Sequence, residues 1–372
     1  MHIWGRVNHV QRLCVGKSWQ GYKAPAGMLL RTRKGSWADF AVFGMAGIGY
    51  IACVNLPTHD LLVVAPENWD EACFAMSAVR ALVASGLGVG VLCHEKQREF
   101  WQTLAEIGVL TFPVGIKAKA LASLIGGDWA AALVWEPGLA AEALKRAKVP
   151  RRLGPDVREL RKCLTHPLVC SGGPLEHRVR FYLSAVEEMG VSTAKPEFFA
   201  PCDVGTAVVK GTVLLCPDSD YGPSHEWIPS RWLEVGRFLI ENDYRVTVAG
   251  LEDGRELGKS LADSLGGGVE FFSAFPLAAA LPLLAVHALV VAADGSLPHL
   301  AAYLGATCVT LFGPNDPAWK RPLGRQHTFV RRHTECAPCL IARCPLDRRC
   351  QEELETDHVI AKIREKVEGF ST

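Results

Sequence analysis

The segment 289–317, LVVAADGSLPHLAAYLGATCVTLFGPNDP, limits what this chain can fold into more than any other. An apolar run at 289–293 stops at the turn Asp294-Gly295-Ser296. A short helix follows, with His299 in its first turn. A second apolar run at 308–312 stops at Gly313-Pro314-Asn315-Asp316-Pro317. Short, continuous apolar runs mark strands buried on both faces, and a helix between two of them makes a parallel crossover unit. Polar, Gly-rich loops at the carboxyl ends of parallel strands are where ligands sit. A helix start there offers unpaired N–H groups and the positive end of a dipole, which suits a phosphate. The same pattern also serves as an ordinary core unit.

The alternation recurs along most of the chain. Apolar runs lie at 61–65, 89–93, 109–112 and 131–135, and helical spacing at 72–86, 96–107, 118–125 and 139–147. Residues 150–201 are broken by Pro155, Pro167 and Pro174, hold one helix at 176–189, and read as an interdomain segment. Strands resume at 213–216, 245–249 and 269–272, with helices at 231–241 and 276–285 and a closing helix from 357. Strands alternating with helices specify parallel sheets. The expected fold is α/β, with two Rossmann-like parallel-sheet domains facing a central cleft, the default ligand site. The expected parts are an N-terminal extension (1–60), a first domain (61–200), and a second domain (201–372) with a Cys-rich loop at 336–350. A chain of 372 residues that is 49% hydrophobic has the apolar material for two cores.

A net charge of +1 gives no global attraction to nucleic acid, and no nucleic-acid partner is expected. Most of the 13 cysteines, such as Cys73, Cys93, Cys216 and Cys308, sit in apolar runs as small hydrophobes. Their odd count and the lack of a leader-like start favour a reducing, cytoplasmic compartment. No run of about 18 uninterrupted apolar residues occurs. The nearest, 38–54, carries Asp39 and three glycines. The extension mixes Trp4, Trp19 and Trp37 with Arg31, Arg33 and Lys34. Packing on the first domain explains this mixture, and contact with a membrane surface is the other reading.

Residue types narrow the chemistry. Asp70 lies between the first strand and its helix, where a carboxylate faces the cleft as a general base or serves as a helix N-cap. Asp294, Gly295, Ser296 and His299 cluster at one helix start, fit for a diphosphate, with capping and packing as the bland roles. Glu252 follows a strand and a glycine, as a ribose-binding acid would. The loop 217–229 carries Ser219 and His225. GxGxxG, GxxxxGK[ST] and Gly-x-Ser-x-Gly are all absent, which removes the main support for nicotinamide, P-loop and serine-hydrolase chemistry. Cys336, Cys339, Cys344 and Cys350 form C-x2-C-x4-C-x5-C. Four thiolates suit a structural zinc or iron, and a loop of free thiols is equally compatible.

With those residues in view, the chain over roughly 60–368 resembles glycosyltransferase family 9, the lipopolysaccharide heptosyltransferases. ADGSLPHLAAYLGATCVTLFGPNDPAWKRPLG resembles the family's Asp-[Ser/Thr]-Gly-x-x-His segment and its Phe-Gly-Pro-x-Asp-Pro continuation. PDSDYGPSHEWIPSRW resembles its donor loop, and LLVVAPENWDEACFAMSAVRAL its first strand, Gly-Asp loop and helix. The Cys-rich tail resembles a C-x-Pro-Cys loop of some members. The chain departs from the pattern in three places: His225 stands for a lysine, Gly295-Ser296 inverts the Ser/Thr-Gly pair, and Trp69 replaces a glycine.

The resemblance implies a GT-B fold and inverting transfer from a nucleotide sugar, typically ADP-heptose, to a Kdo or heptose of a nascent lipopolysaccharide core. Asp70 falls on the catalytic base. Asp294, Gly295, Ser296 and His299 fall on the donor segment, and Glu252 on the ribose acid. The helix start, with His225 if protonated, would stabilise the leaving diphosphate, so no cofactor is required for catalysis. Lys320, Arg321, Arg325, Arg331 and Arg332 are candidates to meet an anionic glycolipid acceptor or lipid headgroups at the inner face of the inner membrane. Two rival readings stay open: a catalytically silent GT-B protein that binds nucleotide sugar or glycolipid, and a sugar-nucleotide epimerase.

Overall fold

The computed structural model describes residues 61–368 except 127, 172, 174 and 252–256. The extension 1–60 and Glu252 therefore lie outside the described residues. Two six-stranded parallel sheets carry the chain. The first holds β1 (Leu61–Val64), β2 (Val89–His94), β3 (Gly108–Phe112), β4 (Ala131–Leu133), β5 (Arg151–Pro155) and β6 (His166–Leu168). The second holds β7 (Val209–Cys216), β8 (Arg245–Gly250), β9 (Glu270–Ser273), β10 (His287–Ala293), β11 (Thr307–Phe312) and β12 (Thr328–Arg331).

Strand order is β3-β2-β1-β4-β5-β6 in the first sheet and β12-β11-β10-β7-β8-β9 in the second. Counted from its own first strand, the second sheet repeats the order of the first. All pairings are parallel, and the strand order of each sheet reverses once, between β1 and β4 and between β7 and β10. Chains leaving adjacent strands there part to opposite faces and open a crevice at the carboxyl ends. The loops after β1, β7 and β10 all empty into those crevices.

Side-chain alternation explains the cores. Leu61 and Val63 point into one apolar cluster, and Leu62 and Val64 into another. Leu214 and Cys216, with Val290 and Ala292, join the cluster of Leu61 and Val63, while Val213, Leu215, Leu289 and Val291 turn to the far side of the second sheet. One apolar cluster therefore runs through both halves. Helix α1 (Trp69–Ala84) packs there on α2 (Val179–Glu188) and α3 (Ser296–Tyr303).

Three strands depart from the sequence reading. β5 and β6 lie within 150–201, and β12 follows the second sheet's last predicted strand. Arg151, Arg152, Pro155 and Pro167 mask β5 and β6, yet both lie at or near one edge of their sheet, where charge and a missing N–H are tolerated. The segment 150–201 thus completes the first sheet before it crosses over. The helix expected at 96–107 shortens to a 3₁₀ turn (Glu95–Gln97) and Arg98–Gln102.

Candidate active site

α1 opens at Trp69, so Asp70 and Glu71 stand in its first turn, where the dipole favours acids. The N-cap is Asn68, so Asp70 is not the cap. Asp70 is fully buried. Its Oδ2 lies 2.6 Å from Lys320 Nζ, which also lies 3.1 Å from Glu71 Oε1. Lys320 ends the one-turn helix α4 (Pro317–Lys320), whose start is capped by the Asp316 carboxylate accepting from Ala318 N–H at 2.9 Å. Glu71 also accepts from Arg178 Nε at 2.9 Å and from the Tyr182 hydroxyl at 2.5 Å.

Electrostatics follow from that packing. Burial alone would raise the Asp70 pKa, but the Lys320 ammonium outweighs it and holds the carboxyl below its ordinary value. The reverse holds for Lys320: burial lowers its pKa, and Asp70 and Glu71 more than restore it. Burial and the neighbouring Asp70 push the Tyr221 hydroxyl well above its ordinary value. Asp70 Oδ1 makes no hydrogen bond among the described residues. A carboxylate kept ionised, with one oxygen uncommitted, is chemically fit to accept a proton.

Across the cleft, the expected donor residues other than Glu252 come together, tied by internal hydrogen bonds. Asp294 is fully buried, and its Oδ2 accepts from His225 Nδ1 and from Asn315 Nδ2, each at 2.9 Å. Burial raises the Asp294 pKa despite these partners. Ser219 donates to the Asp294 carbonyl at 2.6 Å. His225 therefore orients Asp294 through its Nδ1. The start of α3 is not free either. Ser296 N–H donates to Asp220 Oδ1 at 2.8 Å, and the Ser296 hydroxyl bonds Asp220 Oδ2. A Cβ on Gly295 would come within 2.8 Å of Asp220 Oδ1, so glycine there lets the acid approach. His299 is buried, edge-on to Phe74, with neither ring nitrogen bonded among the described residues. Burial holds its pKa down to about 3, so it is neutral.

Contacts from both halves close the cleft. Trp69 stacks on Phe275 at 5.2 Å. The Thr103 and Tyr303 hydroxyls meet at 2.5 Å, and Arg178 N–H donates to the Trp319 carbonyl at 2.9 Å. Trp69 thus uses its ring as an interdomain contact.

Several of the basic residues near the C-terminus are already paired. Lys320 turns inward, while Arg331, Arg332, Arg348 and Arg349 pair with Asp316, Glu353, Glu352 and Asp347. The Cys-rich loop braces the donor loop. Cys344 N–H donates to Ser224 Oγ, Ser224 N–H to the Ala342 carbonyl, and Arg348 to the Pro223 carbonyl. Cys339 and Leu340 N–H groups both reach the Pro314 carbonyl. Burial first, then Cys336, Cys339 and Cys344, push the Cys350 thiol up to about 11. The four thiols thus share one region. Among the described residues, however, no group of three or more His, Cys, Asp or Glu side chains is set to hold a metal ion. The donor set suits zinc or iron, whereas the arrangement as it stands is not a cage.

Sequence reasoning missed Asp220 and Asn315, and read Lys320 as a cation for an anionic acceptor and not as the partner of Asp70. All three follow carboxyl ends of central strands, the position that singled out Asp70 and Asp294, and that position was the signal available. No helix among the described residues is long and apolar enough to cross a membrane.

Comparison with known proteins agrees with this geometry. Residues 182–349 match the model of glycosyltransferase family 9 (heptosyltransferase). Lipopolysaccharide heptosyltransferase 2 of Salmonella typhimurium is 27% identical over 122 residues, 32% of this chain and 35% of the relative, so the sequence match spans about a third of that protein. The structure of the Escherichia coli ADP-heptose lipopolysaccharide heptosyltransferase II superposes with a TM-score of 0.68 at 18% identity, covering 84% of this chain and all of the other. E. coli heptosyltransferase WaaC with ADP-2-deoxy-2-fluoro heptose gives 0.64 at 16% identity, covering 82% and 99%. These likenesses give the fold as GT-B. Residues 182–349, the tail of the first domain and most of the second, are thus similar to glycosyltransferase family 9, and the two crevices facing one cleft are similar in fold to the solved heptosyltransferases.

Proposed function

We propose that this chain moves a heptose or a related sugar from a nucleotide sugar, ADP-heptose first among them, to a hydroxyl of an anionic lipopolysaccharide inner-core glycolipid. One observation carries the reading: the ionised, buried Asp70 at the start of α1 stands across the cleft from Asp294, Ser296 and His299. The heptosyltransferase names of the relatives support the sugar, and the ADP-sugar in one of them supports the donor.

In this mechanism the acceptor hydroxyl gives its proton to Asp70 as its oxygen attacks the anomeric carbon. The bond from that carbon to the diphosphate oxygen breaks, and its electron pair leaves with the phosphate. Attack from the face opposite the nucleotide inverts the centre. The start of α3 stabilises the departing charge, which requires Asp220 to release Ser296. Closure of the two halves keeps water from the donor.

A second reading, binding of nucleotide sugar without transfer, draws on one feature: an internal acid already fills the helix start. The test is mass analysis of products from a panel of nucleotide sugars with core glycolipid. A glycolipid heavier by one sugar supports transfer. Nucleotide binding without product or released nucleoside diphosphate supports the second reading, and turnover of donor alone would point to an epimerase. The four thiols of the Cys-rich loop are proposed to close on one structural zinc or iron and so to stiffen the donor loop they brace.

A further inference from the structure

Among the described residues, positive charge around Asp70 is scarce. The groups that act on Asp70 are Lys320 after β11, Glu71 and Cys73 on α1, Tyr221 after β7, His299 on α3 and, farther off, Asp294. His299 is neutral, with its pKa at about 3. Arg178 is bonded to Glu71, and His225 to Asp294. Among these described groups, Lys320 is the cation that faces the reacting carboxylate. A nucleotide sugar brings negative charge on both phosphates, and more builds as the sugar leaves. A helix start offers only about half a unit of positive charge.

Lys320 is also placed to move. It ends a one-turn helix, and the next residue, Arg321, is already extended. The side chain spans the cleft from the second half to the first, with Nζ 5.4 Å from the Tyr221 ring centre in the donor loop. A flexible four-carbon stem lets an ammonium swing between partners without backbone motion.

We propose that Lys320 exchanges partners during turnover, leaving Asp70 and Glu71 to pair with the donor diphosphate when the nucleotide sugar enters. The exchange frees Asp70 Oδ2 for the acceptor proton and sets a full positive charge beside the oxygen that leaves with the bonding pair. The proposal deepens the transferase reading and rests on it.

The experiment compares the full chain with Lys320→Met and Lys320→Arg. ADP affinity is measured by calorimetry, the pH profile of kcat/KM with the donor that turns over, and Tm on each protein. Lys320→Met weakens ADP by about 10- to 100-fold, the effect of one charge-assisted bond, and Lys320→Arg restores most of it. The acid limb of kcat/KM moves to higher pH in Lys320→Met, because Asp70 loses the cation that favours its ionised form. A lysine that only held the halves together would lower Tm and leave that limb in place. ADP binding within about twofold of wild type, an unmoved acid limb, or a loss that arginine does not restore would each overturn the proposal. Wild-type protein that turns over donor while Lys320→Met matches it fails this proposal alone. Wild-type protein that binds none of ADP, UDP and GDP fails the transferase reading and this proposal with it.

Discussion

Replacing Asp70 by Asn keeps the shape of the side chain and removes its charge. Lys320 Nζ loses an ionic partner at 2.6 Å but keeps Glu71 Oε1 at 3.1 Å. Removing one partner of a buried pair costs about 3–5 kcal/mol when the other is stranded. Here Glu71 remains and the asparagine oxygen still accepts, so the loss falls to about 1–3 kcal/mol. For a chain of this size that lowers Tm by a few degrees, at about 2–4 °C per kcal/mol. Turnover is expected to fall far more, by about 10²- to 10⁴-fold, because an amide cannot take the acceptor proton. The assay is release of nucleoside diphosphate that depends on added glycolipid, with ADP calorimetry as the control for a folded donor site. ADP affinity should hold or tighten, since Lys320 is released toward the phosphates. An Asp70→Asn protein with more than about a tenth of wild-type turnover would refute the base assignment. So would a loss explained wholly by lost ADP binding.

The other expectations read out different parts of the cleft. Asp220→Asn weakens the internal cap on α3 and should tighten ADP several-fold, at about 0.5–2 kcal/mol of stability; unchanged or weaker ADP binding would mean that Asp220 does not compete with the donor. Burial holds His299 at about 3 and His327 at about 4, below the ordinary 6.5, so the unfolded chain binds protons first as pH falls. Stability should therefore drop from about pH 6.5 downward, by up to ~1.4 kcal/mol per pH unit for each histidine. His299→Gln should flatten that drop in urea titrations at pH 7, 6 and 5, and an unchanged slope would count against a neutral His299. Protein purified without added metal should carry about one zinc or iron per chain by elemental analysis. Both metals at background would remove the metal from the Cys-rich loop.

Much of this architecture was legible because strands buried on both faces need unbroken apolar runs. Residues 61–65, 289–293 and 308–312 announce themselves that way, and with them the places where loops must face a ligand. β5 hid behind Arg151 and Arg152 because a strand near a sheet edge can carry charge on its flanks. The site was legible by position and less so by role. Asp70 and Asp294 were found because they follow central strands. Nothing local tells that His225 turns to Asp294, or that Asp220 turns to Ser296, since both bonds join segments about 70 residues apart. Lys320 was grouped with surface cations because its neighbours are basic. Its partner is 250 residues away on the other half of the molecule.

Trp69 stacked on Phe275 has a use beyond holding two halves together. An indole sandwiched at such a boundary changes its surroundings whenever the halves part, so the chain carries its own optical gauge of breathing. Of the ten tryptophans, Trp69 is the one stacked on Phe275 among the described residues, and a Trp69→Phe control isolates its signal. Stopped-flow emission on mixing with nucleotide would then time the parting of the boundary against chemistry. That comparison would show whether throughput is set by bond exchange or by the gate through which cargo passes.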